Sequence, residues 1–213
     1  MNDIVYYALL APPILIALTF HEYAHALVAY RLGDDTAAKQ GRLTLNPLAH
    51  LDLLGTIMLF IVQLGWAKPV PVNPGNFRDP RTGMFWVALA GPLSNILLAF
   101  VFGILFRLSM QMEVAHPYWG HVLFMVRLAV IINLILAFFN LIPIPPLDGS
   151  KIAFSFVPDR YAGSIVQFSR FGPFILLGLI IVGHRFDIPI IWSLIGPPVK
   201  LLAALFGNIN INI

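Results

Sequence analysis

Two histidines and a glutamate stand together in His21-Glu22-Tyr23-Ala24-His25, inside an apolar stretch. Positions four apart share one face of an α-helix, so both imidazoles can reach a common metal ion. The glutamate beside them is placed as general base toward a water that such a metal activates. A catalytic zinc usually takes three protein ligands and keeps one position open, so the motif asks for a further ligand from elsewhere. The chain has no cysteine, which excludes thiolate ligands and disulfides. The competing reading is a pair of buried histidines hydrogen-bonded to neighbouring helices. An ionisable triplet inside a span is costly without a function, which favours the metal.

The third ligand should be a carboxylate. Apart from Glu22 the chain has one glutamate, Glu113, in a linker remote from the motif. The best candidate is Asp148, in the run Asn140-Leu-Ile-Pro-Ile-Pro-Pro-Leu-Asp148-Gly149. Pro143, Pro145 and Pro146 forbid a regular helix there, and non-helical backbone near membrane depth survives only when buried in protein or lining a wet cavity. The alternative is a turn aspartate at a helix end.

The elements that must position these residues follow from composition. Of 213 residues, 59% are hydrophobic and 11% charged, too few charges to cover a soluble domain of this size. A mean hydropathy of +0.84 points to a bilayer instead. The formal charge of +3 and pI near 9.4 do not signal nucleic-acid binding, because the basic residues sit singly between apolar segments, as membrane anchors do. The N-terminus lacks a basic region and a small-residue cleavage site, so the first apolar segment reads as retained.

The predicted fold is an all-α polytopic membrane protein of five to six transmembrane or re-entrant helices. Spans are expected from Ile4 to Tyr30, Met84 to Phe106, Val122 to Ile142, Phe171 to Gly183 and Ile188 to Phe206. The segment from Leu51 to Leu64 is short for a crossing, which needs about 20 apolar residues. Arg31, Lys39 and Arg42 precede it, and Lys68, Arg78 and Arg81 follow it. By the positive-inside rule both flanks are cytoplasmic, so it re-enters rather than crosses. The same rule places Lys151, Arg160 and Arg170 inside, with the N-terminus outside and the C-terminus inside. His21 and His25 then lie roughly 9–15 Å along the helix from its cytoplasmic end at Arg31, and Asp148 follows a span that exits on the same side.

Two short pieces read as strands, Gly41–Leu45 and Lys68–Asn73. Pro69 and Pro71 are two apart, so their missing N–H groups fall on one edge, and the opposite edge is left to pair. A small β-hairpin-like element at the cytoplasmic mouth is expected. Chain organisation reads as a single membrane-embedded domain over 1–213, with a catalytic core of about 1–157 and peripheral C-terminal helices at about 171–206.

At these residues the sequence resembles the site-2 protease family of intramembrane zinc metalloproteases. His21-Glu22-Tyr23-Ala24-His25, Gly91-Pro92-Leu93-Ser94-Asn95 and Asn140 through Gly149 carry the resemblance in that order, over the first three-quarters of the chain. It implies one zinc per chain held by His21, His25 and Asp148, with Glu22 as general base. It implies hydrolysis of a peptide bond in or near the transmembrane segment of a membrane-protein substrate, and the charge rule puts the site on the cytoplasmic side of what is expected to be a prokaryotic membrane. Asn140 is implied in support, bonding the substrate carbonyl or its oxyanion; a plain interhelical hydrogen bond is the alternative. Gly91 and Ser94, with Ala88 and Ala90, permit close helix approach, and Asn95 reads as a polar clamp. The linker from Arg107 to His121 is too short for a PDZ domain, and the residues after Phe206 leave no room for a regulatory nucleotide-binding module, so the chain is expected to resemble a compact member.

The pair reads as a structural hairpin, with addition of an unwound substrate strand to the edge of Gly41–Leu45 as the alternative. The last two segments, broken by Pro189 and by Gly196-Pro197-Pro198, read as peripheral packing helices or as a lateral gate. His50 reads as a hydrogen-bonding residue of the re-entrant turn, with a role at the metal as the alternative. His116, His121 and His184 read as interfacial. The functional rivals are a metal transporter, which would need a second ligand cluster, and a non-catalytic scaffold, which the intact Glu22 argues against.

Overall fold

The computed structural model describes residues 3–55, 57 and 65–211. It is helical: α1 spans Asp3–Arg31, α2 Thr36–Lys39, α3 Pro80–Met110, α4 Trp119–Asn140, α5 Asp148–Phe154, α6 Ala162–Arg185 and α7 Ile190–Gly207. Five of these, α1, α3, α4, α6 and α7, are long and apolar enough to cross a membrane. Their outward faces carry large apolar side chains such as Leu97, Phe174 and Leu201, which in water would be an aggregation hazard and in lipid are solvated.

Local chemistry sets the helix boundaries. Asp79 caps α3, its carboxylate accepting from the N–H groups of Arg81 and Thr82 at 3.0 and 3.3 Å, with Pro80 at the first helical position. Helix α4 stops at Asn140, just before Pro143, Pro145 and Pro146. Helix α7 ends on Asn208 in the left-handed conformation. The Gly196-Pro197-Pro198 run, expected to break the last span, lies inside continuous α7. In lipid a helix tolerates internal proline when its neighbours satisfy the freed backbone.

Helices α1, α3 and α4 pack against one another, and α7 packs on α3 and α4. One core cluster joins Ala99 of α3, Val130 and Leu134 of α4, and Val199 and Ala203 of α7. A second joins Ala29 of α1 to Val87 of α3 through Phe77. Helix α6 is the least buried of the five, with only 6% of its most apolar window inside the protein, against 28% for α7.

The expected β-hairpin does not form. The described residues contain no strand, only an isolated antiparallel bridge between Leu51 and Ala67. Side chains have taken the backbone groups a ladder would need. In the first piece and its continuation, Thr44 accepts from Asn46 N–H through its hydroxyl and from His50 Nε2–H through its carbonyl, and Asn46 accepts from Leu48 N–H. Such local bonds compete with strand pairing. In the second piece, Val70 N–H donates to Glu22 and Asn73 N–H to Asp34. With Pro69 and Pro71 contributing no donor, the segment is an extended strap. No edge for strand addition is therefore formed at Gly41–Leu45.

Most of the segment from Leu51 to Leu64 lies outside the described residues. Its flanks do not: the Leu51–Ala67 bridge and the bond from Lys68 N–H to the His50 carbonyl at 2.9 Å bring them together.

Candidate metal centre and active site

Helix α1 presents His21, Glu22 and His25, all buried at 4, 9 and 7% exposure. Asp148, the first residue of α5, meets them: its Oδ2 lies 3.1 Å from His21 Nε2 and 3.0 Å from His25 Nε2. The turn that delivers Asp148 needs Gly149, because a Cβ there would collide with the Leu141 and Ile142 carbonyls. Gly91 of α3 is needed for the same reason on the other side. A Cβ at Gly91 would stand 2.5 Å from His25 Nε2 and 2.6 Å from His21 Cε1. The small-residue segment expected to allow close approach thus packs directly on the imidazoles.

Hydrogen bonding fixes which ring nitrogen carries each proton. His25 Nδ1 is 2.6 Å from the Val87 carbonyl, which can only accept, so Nδ1 is the protonated nitrogen. For His21 the logic passes through an amide. Asn95 Nδ2 donates to the Ala17 carbonyl at 3.0 Å and to Asn133 Oδ1 at 2.8 Å. Its Oδ1 must then accept, and His21 Nδ1–H donates to it at 2.6 Å. Asn133 is oriented in turn by donating to the Ala129 carbonyl at 2.8 Å. Asn95 and Asn133 are both fully buried.

Both Nε2 atoms face the same carboxylate oxygen, and in a neutral ring with Nδ1 protonated each offers a lone pair there. Three converging acceptors in a buried site repel unless a proton or a metal ion lies among them. The ligand atoms of a tetrahedral zinc at about 2.0–2.1 Å are about 3.3 Å apart, close to the spacing found. Two imidazoles and a carboxylate also suit zinc chemically, and these three residues form the one such grouping among the described residues.

Glu22 faces a cavity of about 290 Å³ that also touches His21, His25, Asn140, Asp148 and Val70. Its Oε2 accepts from Val70 N–H at 2.9 Å, and Oε1 has no partner among the described residues. Asn140, half-buried, donates one Nδ2 hydrogen to the Leu136 carbonyl at 3.0 Å, and the other has no partner among the described residues. The strap that touches Glu22 is tied at both ends. Arg42 Nη2 donates to the Lys68 carbonyl at 2.6 Å. Asp34, fully buried, accepts from Asn73 N–H and Asn76 Nδ2, each at 2.7 Å, and from Thr36.

Residues 109–179 match peptidase family M50. Over 188 residues the chain is 40% identical to a Bacillus subtilis protein named "Putative zinc metalloprotease YwhC", covering 85% of this chain and 86% of that one. The chain belongs to peptidase family M50, the site-2 protease family. Other relatives in the family align over less. A Mycobacterium tuberculosis protein named "Putative zinc metalloprotease Rip2" is 37% identical over 141 residues, 63% of this chain and 52% of that one. A similarly named Methanocaldococcus jannaschii protein is 35% identical over 136 residues, 62% of each. No solved structure matches the chain.

The residues expected at the site of this M50 peptidase, His21, Glu22, His25, Asn140 and Asp148, all line one cavity. His50 does not join them. Its Nε2–H is spent on the Thr44 carbonyl, in the turn that leads to Leu51. Asn133, Asp34 and Lys151 were not singled out as site residues. Asn133 left a signal, a polar side chain in an apolar span and seven residues from Asn140 on the same helical face. Asp34 left none, being one of two adjacent aspartates in a loop.

Proposed function

We propose that this membrane peptidase is a zinc-dependent intramembrane endopeptidase that hydrolyses peptide bonds in or near transmembrane segments of membrane proteins. His21, His25 and Asp148 hold the zinc, Glu22 is the general base and Asn140 supports the reacting carbonyl. The single observation carrying this reading is the convergence of two imidazole Nε2 atoms and one carboxylate oxygen beside a glutamate, within membrane-length helices.

Bound zinc would supply Lewis acidity, acidifying a water and polarising a carbonyl. The chain's own residues do the rest. Glu22 Oε1 takes a proton from the attacking water and hands it to the leaving amine, while Val70 N–H holds Oε2 and so fixes the direction in which the other oxygen points. The free Nδ2 hydrogen of Asn140 is available to a developing oxyanion. The cavity admits water to the site, and the strap from Lys68 to Asn73 borders it. A helical substrate must unwind to expose its carbonyls.

The basic residues flanking Leu51 and Ala67, with Lys151, support a cytoplasmic orientation of the site. The packing of α7 on α3 and α4 supports one membrane domain. Purified wild type and Glu22→Gln test the proposal by zinc analysis and by cleavage of single-span substrates. About one zinc in both proteins, with cleavage lost in the variant and after chelation, is the expected result. Wild type that binds no zinc overturns it.

A further inference from the structure

Asp148 turns its two oxygens to different partners. Oδ2 faces both imidazoles, and Oδ1 accepts from Lys151 Nζ at 3.0 Å. We infer that Lys151 is a positioning residue whose ammonium holds Asp148 Oδ1 away from the metal, so that the carboxylate offers one oxygen instead of two. The inference rests on the zinc reading above and assigns a task to a residue outside the ligand set.

Carboxylates bind metal ions through one oxygen or through both. A catalytic zinc with three protein ligands keeps its remaining position for water or substrate. An Oδ1 without a partner sits on the same carbon as Oδ2, and a rotation of the carboxylate would bring it onto the ion and fill that position. In this chain Oδ1 has a partner, and among the described residues Lys151 alone provides it. The spacing is built in. Lys151 lies three residues after Asp148 on α5, and the tight fit at Gly149 leaves that helix no room to slide. Asp148's side chain is 6% exposed and that of Lys151 45%. A pair with one end in water adds little to stability, which suits a directional role. Partners of metal ligands act in this way by orienting them.

The test is cobalt substitution, because cobalt(II) reports coordination number through the strength of its visible absorption, intense at four ligands and weak at higher numbers. Wild type, Lys151→Met and Lys151→Arg are loaded with cobalt in detergent, and bound metal and spectrum are both measured. The expected result is bound cobalt in all three, an intense band in wild type and Lys151→Arg, and a band at least about twofold weaker in Lys151→Met. A Lys151→Met spectrum equal to wild type overturns the inference. So does equal weakening in both variants, or loss of cobalt from Lys151→Met, which would make Lys151 a determinant of affinity. Wild type that takes up no cobalt or zinc would instead remove the metalloprotease reading beneath it.

Discussion

Val70 donates its backbone N–H to Glu22 Oε2 at 2.9 Å, linking a loop that shares no helix with the metal centre to the base beside it. Replacing Val70 by proline deletes that donor in a segment already extended and flanked by prolines. A hydrogen bond to a charged group is worth about 1.5–3 kcal/mol. The Val70→Pro protein is expected to keep its zinc and lose roughly ten- to a hundredfold in turnover, checked by elemental analysis beside a cleavage assay.

Asn95→Leu removes the acceptor that holds His21 in the tautomer with Nε2 free. Loss of such a partner costs about 10–100-fold in metal affinity. Competition with a chelator of known affinity measures it, and His21 should release the metal at lower chelator concentration than in wild type.

Asn133→Leu acts one step further away. It leaves a buried Asn95 N–H without an acceptor, at a cost of about 1–3 kcal/mol. Thermal unfolding in detergent should show the loss, and Asn133→Asp, which keeps an oxygen facing Asn95, should recover part of it.

Gly91→Ala places a methyl group where both imidazoles already stand. Overpacking costs about 1–3 kcal/mol. The expected result is a helical protein, by circular dichroism, that binds zinc weakly or not at all.

Asp34 gives a pH dependence. Burial alone would raise its carboxyl, but the bonds from Thr36, Asn73 and Asn76 outweigh that and hold it below the usual carboxylate range. A group lowered in the folded state stabilises fully above its unfolded pKa of about 3.9 and loses that contribution as pH falls toward its folded value. Wild type should therefore unfold at higher temperature than Asp34→Asn near neutrality, and the gap should close as pH falls below about 4. A gap that widens with acid would refute this.

Much of the site was legible because its chemistry is local in sequence. The pair His21 and His25 shares a helical turn, and Asp148 is marked by three prolines that stop α4 nearby. The five membrane helices were legible from apolar length. What was not legible depended on partners distant in sequence. Val70 reaches Glu22 across 48 residues, and Asn73 reaches Asp34 across 39. The alternation around Pro69 and Pro71 read as a strand edge because nothing local shows that a carboxylate will take the remaining donors. Asn133 lay in plain view, but its partner Asn95 comes from another helix, and Lys151 read as an orientation signal alone.

Both site histidines stand on α1, and both Nδ1 protons are held by α3, one by Asn95 and one by the Val87 carbonyl. The proton arrangement of the centre is thus written in the spacing of two rods. Bilayers of unequal thickness change the tilt that long helices adopt. A tilt of α3 against α1 would act on these two short bonds. A change in bilayer thickness would in that way reach two imidazole rings.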